Sequence, residues 1–197
     1  MKRLSYLFVT VFLFCLTWVS NAQQKTIIID AGHGGKDSGQ VAESLNEKDI
    51  TLQVAKVFQQ IAEEKGYKVV LLRNDDKFIS LDERTEKINE IKPYLVISLH
   101  ANATTNTNKS GIELYFSKNE KLKEQNSNFI SKMSQSLTTQ TKYKDVKVRN
   151  ANFKILSESD YPAILIELGF MTNASDLDYI RSEKGQGEIV NALIASL

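Results

Sequence analysis

Apolar residues follow two alternating rhythms along the chain. Short, mostly β-branched runs lie at 26–30 (TIIID), 67–72 (YKVVLL), 94–99 (YLVISL), 111–116 (GIELYF) and 162–166 (PAILI). Each is too short for a helix and is bounded by glycine, proline or polar loops, so each predicts a strand. Between them, apolar positions recur every three or four residues. Ile50, Val54, Val57, Phe58 and Ile61 mark one face of a helix that starts after Asn46, a candidate N-cap, and ends at Gly66. Ser80-Leu81-Asp82-Glu83 has capping-box spacing, and Leu81, Thr85, Ile88 and Ile91 carry a second helix to Pro93. Leu122, Phe129, Ile130, Met133 and Leu137 predict a surface helix within 119–140. Residues 143–148 read as a loop or short strand and 152–156 as a short apolar segment. A short helix at 176–181 and a closing helix at 184–197 follow, the latter turning Ile189, Leu193 and Ile194 inward. Strands alternating with helices predict an α/β fold, a mostly parallel central sheet flanked by helices. A single domain over 23–197 is expected, with no repeat, linker or low-complexity tract.

The N-terminus changes the compartment. Lys2 and Arg3 precede a nearly unbroken apolar run at 7–19, and Ser20-Asn21-Ala22 then supplies small residues. This predicts a signal peptide over 1–22, cleaved after Ala22. The run is short for a membrane span of about 20 residues, and Phe14 is too large to precede a lipidated Cys15. Cys15 is the only cysteine and leaves with the leader, so the mature chain relies on its core rather than on disulfides. Of 25 basic and 24 acidic residues, Lys2 and Arg3 also leave, which makes the mature charge near −1. That balance gives no basic field for nucleic acid or an anionic membrane surface. An exported protein is expected, periplasmic or alternatively extracellular. No stable membrane insertion is expected after cleavage, and nothing argues for more than a monomer.

Four side chains stand where such a sheet places chemistry, outside the carboxyl ends of strands. His33 follows the first strand in a glycine-rich loop, His100 follows the third and Glu167 follows the run 162–166, while Glu47 opens the first helix. Each has an ordinary reading: a turn histidine, a hydrogen-bonded loop histidine, an ion-paired Glu, a Glu favoured by the helix dipole. Chance placement of both histidines and both carboxylates at site-forming ends is the weaker account. Two imidazoles and a carboxylate suit a catalytic zinc with a fourth position for water. A further carboxylate, off the metal, could carry a proton from that water to a leaving nitrogen.

Asp30-Ala31-Gly32-His33-Gly34-Gly35, Asn46-Glu47-Lys48-Asp49, Ser98-Leu99-His100-Ala101-Asn102-Ala103 and Ile166-Glu167-Leu168-Gly169-Phe170 resemble, in order and spacing, the zinc-dependent N-acetylmuramoyl-L-alanine amidases of the AmiC type (amidase_3). The resemblance covers essentially the whole mature chain. It implies an amidase/phosphorylase-like sandwich, one Zn2+ per chain held by His33, Glu47 and His100, and Glu167 as the catalytic carboxylate. It implies hydrolysis of the amide joining N-acetylmuramic acid to L-alanine in peptidoglycan, for wall remodelling, daughter-cell separation or recycling. The alternatives are a non-catalytic peptidoglycan-binding or regulatory module on the same fold, and a different zinc hydrolase; the H-E-x-x-H of helical zinc peptidases is absent. Asn102, Glu113 and Arg149 are candidate substrate contacts, with loop-fixing hydrogen bonds as the alternative. Arg73 and Arg84 read as structural, and Tyr115, Tyr161 and Phe170 as core. Ala31 stands where many relatives carry proline, which alters loop stiffness. No long insertion separates Phe116 from Asn126, where some members carry an inhibitory helix, so an open cleft that needs no activator protein is expected.

Overall fold

The computed structural model describes residues 24–197. The expected signal peptide and Cys15 lie outside the described residues. The first strand, β1 (Thr26–Ala31), leads through a two-stranded hairpin of β2 (Val41–Ala42) and β3 (Leu45–Asn46) into α1 (Glu47–Glu64). Then come β4 (Lys68–Leu71), α2 (Leu81–Ile91), β5 (Leu95–Asn102), β6 (Glu113–Phe116) and α3 (Lys123–Gln140). The chain closes with β7 (Lys147–Asn150), the single turn α4 (Lys154–Ser157), β8 (Ala163–Phe170), α5 (Ala174–Arg181) and α6 (Glu183–Ala195). Six strands form one sheet in the order β4-β1-β5-β8-β6-β7. Every neighbouring pair is parallel except β6 with β8. The mostly parallel sheet flanked by helices is therefore the observed architecture.

The strand period of two divides the core. Ile27, Ile29, Ile97, Leu99, Ile164 and Ile166 turn to the face covered by α1, α3, α5 and α6, where Phe58, Met133 and Leu193 are buried. Ile28, Val96 and Leu165 turn to the other face, covered by Ile88 of α2 and by Ile155 and Leu156 of α4. This second layer is thinner, and beyond its edge the sheet is open. Among the described residues, no helix is long and apolar enough to cross a membrane.

The boundaries differ from expectation where they bear on function. β5 does not stop at Leu99 but runs through His100 to Asn102, with a register irregularity against β8 between those two residues. β8 runs three residues past Glu167. Both ends are held by pairing with a neighbour, a non-local effect that local hydropathy does not encode. The capping box forms as predicted: Ser80 Oγ accepts from the Glu83 N–H, and the Ser80 N–H donates to Glu83 Oε2 at 2.8 Å. Asn46 is the N-cap of α1 by position, but its side chain bonds Asp49 rather than a backbone N–H. Leu81 and Ile91, expected on the apolar stripe of α2, are exposed, because the thin layer buries only Ile88 and Thr85 of that stripe. The helix expected from residue 119 begins at Lys123, with Leu122 buried as its N-cap.

Candidate active site

The site begins at the exit of β1. His33 is a non-glycine residue at φ 62°, a backbone state that L-residues seldom adopt without outside support. Support comes from two buried arginines. Arg84 of α2 pairs with Asp30 and donates to the carbonyls of Ala31 and His33 at 2.9 and 2.6 Å. Arg73, in the loop after β4, donates to the carbonyls of Ala31, Gly32 and Lys48 at 2.8–2.9 Å. Asp30 also accepts from Ser98 Oγ at 2.7 Å. The expectation that Arg73 and Arg84 are structural is what the geometry shows.

His33, Glu47 and His100 converge. One ligand atom from each lies within 4.8 Å of the other two. Glu47 Oε1 is 3.1 Å from His33 Nε2 and 2.9 Å from His100 Nδ1. Glu47 is buried at the start of α1, where the helix dipole favours negative charge. The N–H groups of Ala101 and Gln40 donate to its two oxygens at 3.0 and 2.9 Å. Two glycines make the convergence possible. A Cβ on Gly32 would come within 2.5 Å of the His100 ring, and one on Gly39 within 2.5 Å of Glu47. Asp37, which sequence reasoning passed over, lies 2.9 Å from His33 Nδ1 and so orients that ring from behind.

Electrostatics match this geometry. Burial works against a charged His33, but the hydrogen bonds and charges of Glu47 and Asp37 outweigh it and push the imidazole up to about 9. Burial likewise opposes ionisation of Glu47, yet the bonds from His100 and His33 hold it far below the usual carboxylate range. The charge of Glu47 that favours a proton on His33 would equally favour a cation bound between them. Two imidazole nitrogens and one carboxylate oxygen at this spacing fit a zinc ion that keeps a fourth position open. The side chains of His33 and His100 remain 24% and 21% exposed.

Glu167 is the register partner of His100 on the next strand, so both side chains stand on one face of the sheet. It is not in the His/Glu/His cluster. Its Oε2 is buried without a hydrogen-bond partner, an uncommon state for a carboxylate. Burial, then the charges of Glu47 and Glu113, push its pKa up to about 7 against the pull of the histidines. A cleft of about 480 Å³ opens here, bounded by His33, His100 and Glu167 on one side and by Phe78, Leu81 and Phe153 on another.

Beyond Glu167 the row continues. Glu113 on β6 is in register with Glu167, and Asn102 Nδ2, Tyr115 Oη and Arg149 Nη2 all donate to it. The structure thus gathers the three candidate substrate contacts around one carboxylate. Tyr115, expected in the core, is only half-buried: its ring packs on Phe153 and its hydroxyl belongs to this cluster. Phe170 is fully buried, and Tyr161 is only half-buried.

Comparison with known proteins agrees. The Amidase_3 family model, described as N-acetylmuramoyl-L-alanine amidase, matches residues 27–197. The protein YqiI of Bacillus subtilis is 35% identical over 180 residues, 91% of this chain and 86% of the relative. The probable cell wall amidase LytH of Staphylococcus epidermidis is 28% identical over 176 residues, covering 88% of this chain; the match spans only 57% of LytH. Among solved structures, the N-acetylmuramoyl-L-alanine amidase of Clostridium difficile 630 superposes with a TM-score of 0.82 at 32% identity, over 88% of this chain and 94% of that one.

Proposed function

Since the chain belongs to the N-acetylmuramoyl-L-alanine amidase family Amidase_3, we propose that it cleaves the amide between N-acetylmuramic acid and L-alanine in peptidoglycan, with one zinc ion on His33, Glu47 and His100. The observation that carries this reading is the buried, unpartnered Glu167 carboxyl beside the His/Glu/His cluster. Zinc there would supply Lewis acidity, polarising the amide carbonyl and acidifying water. The chain's own residues do the rest. Asp37 fixes the His33 ring, and the Ala101 and Gln40 N–H groups fix Glu47. Glu167, with a pKa near the working pH, accepts a proton from the attacking water. It then returns that proton to the L-alanine nitrogen as the C–N bond breaks, so the amine leaves neutral. The products are a lactyl carboxylic acid, which loses its proton to solvent, and a peptide with a free L-alanine amino group.

The exposed faces of His33 and His100 support activity without a displacing activator protein. The basic start and apolar run at 2–19 support export to the compartment that holds the wall. The test is stem-peptide release from purified peptidoglycan by the protein lacking residues 1–22, metal-free and zinc-loaded. Zinc-dependent release with new L-alanine amino termini is expected. Glu167→Gln should lower the rate by roughly 10²–10⁴-fold while still binding one zinc. No cleavage by the zinc-loaded wild type, or cleavage at another bond, would overturn the proposal.

A further inference from the structure

The Glu113 cluster holds more positive charge than its own burial requires. Glu113 is 2% exposed and has two cations: Arg149 Nη2 at 3.2 Å and Lys109 Nζ at 3.5 Å. Two neutral donors, Tyr115 Oη at 2.7 Å and Asn102 Nδ2 at 3.3 Å, also point at it. Burial opposes its ionisation, but Tyr115 and the two cations hold it below the usual carboxylate range, so it stays charged. One cation would neutralise it, and the second leaves a net positive charge on the cluster. That charge lies at the surface: the Arg149 and Lys109 side chains are 47% and 36% exposed. The structural arginines behave differently. Arg73 and Arg84 are fully buried and direct their N–H groups to several backbone carbonyls. Arg149 makes one protein hydrogen bond, while its guanidinium has five N–H donors in a fork that matches a carboxylate.

Its place in the sheet gives the charge a direction. Glu167, Glu113 and the strand of Arg149 are successive neighbours in register, β8 to β6 to β7. At about 4.8 Å per strand, β7 lies roughly 10 Å from β8. Two residues of extended peptide span about 7 Å at about 3.4 Å each, and the Arg149 guanidinium shortens the remainder by reaching back to Glu113 on β6.

We propose that Arg149 and Lys109 form a subsite for the carboxylate of the second residue of the leaving peptide, with Glu113 and Asn102 as positioning residues rather than substrate contacts. The subsite rests on the amidase reading for the identity of its peptide. It makes the protein selective for stem peptides with a free carboxylate after L-alanine over the amidated form.

The test uses two probes, N-acetylmuramyl-L-alanyl-D-isoglutamate and the matching D-isoglutamine. Binding is measured by calorimetry on the zinc-loaded Glu167→Gln protein, and turnover on the wild type. The acid is expected to bind about tenfold more tightly than the amide, a difference of about 1.4 kcal/mol. Adding Arg149→Gln should erase that preference while changing the amide's affinity less than twofold, with Lys109→Gln acting the same way to a smaller extent. Equal binding of both probes would overturn the subsite, as would equal weakening of both by Arg149→Gln, which a purely structural role predicts. Cleavage of both probes without discrimination defeats the subsite and leaves the amidase reading standing. Acid-selective binding with no wild-type cleavage does the reverse.

Discussion

Asp37 lies outside the His/Glu/His cluster, yet its carboxylate at 2.9 Å from His33 Nδ1 decides which nitrogen of that ring faces Glu47. Such outer partners typically contribute 10–100-fold to metal affinity. Asp37→Asn should therefore weaken zinc binding by roughly that factor in competition with a chromophoric chelator, and lower the thermal midpoint of the metal-free protein only below about pH 9, where His33 holds its proton. Unaltered affinity would mean that the loop alone orients the ring. Glu167 is a second case where environment sets the role. It and Glu47 are both carboxylates against the same histidines. Glu47 receives backbone N–H bonds and stays charged, whereas Glu167 receives none on Oε2 and is pushed up to about 7.

At the scale of elements, α2 braces the site from outside it. Its capping box starts the helix at Ser80, which sets Arg84 against Asp30 and the β1 exit. Removing one member of a buried ion pair strands the other and costs about 3–5 kcal/mol. Arg84→Ala is expected to lower unfolding stability by that amount and also to loosen zinc, because the His33 carbonyl loses its donor. Ser80→Ala should cost only about 1 kcal/mol and leave zinc affinity unchanged. Urea titrations of both variants, with and without zinc, separate the two roles. The ends of β5 and β8 illustrate the same dependence between elements. His100 and Glu167 sit inside paired strand, so ladder hydrogen bonds rather than loop contacts fix their directions.

At the scale of the whole molecule, the metal-free protein concentrates protons at one point, and its stability should follow. His33 is raised from 6.5 to about 9, so its contribution is full below pH 6.5 and is lost as pH rises towards 9. Glu167 is raised from 4.5 to about 7, so the folded state also binds extra protons between those values and loses stability across them. Glu47 is depressed, so its contribution is present above pH 4.5 and is lost below. The thermal midpoint without metal should peak near pH 5 and fall steadily to pH 9. Zinc needs the deprotonated ligands, so the loaded protein should gain most at neutral and alkaline pH. Calorimetry of both forms across pH 4–9 checks this, and parallel curves would show that His33, Glu47 and Glu167 are not shifted in these directions.

The sequence by itself determined the strand and helix order, the mostly parallel sheet, and the four residues that stand at its carboxyl edge. Those features are local: periodicity, glycine breaks and a capping box act over a few residues. It also marked Arg73 and Arg84 as structural and located Asn102, Glu113 and Arg149 near the chemistry. Only the tertiary structure decided how these pieces meet. Register placed His100, Glu167 and Glu113 in one row across β5, β8 and β6, although they are far apart in sequence. Packing space made Gly32 and Gly39 necessary, since a Cβ there meets the His100 ring or Glu47 rather than anything nearby in the chain. Asp37 escaped sequence reading because a loop Asp four residues after a His carries no periodic signal, and its meaning appears only once the loop folds the two together. The downward shift of Glu113 and the upward shift of Glu167 were hidden for the same reason. A pKa depends on burial and on neighbours within a few ångströms, and those neighbours come from strands that only the fold makes adjacent.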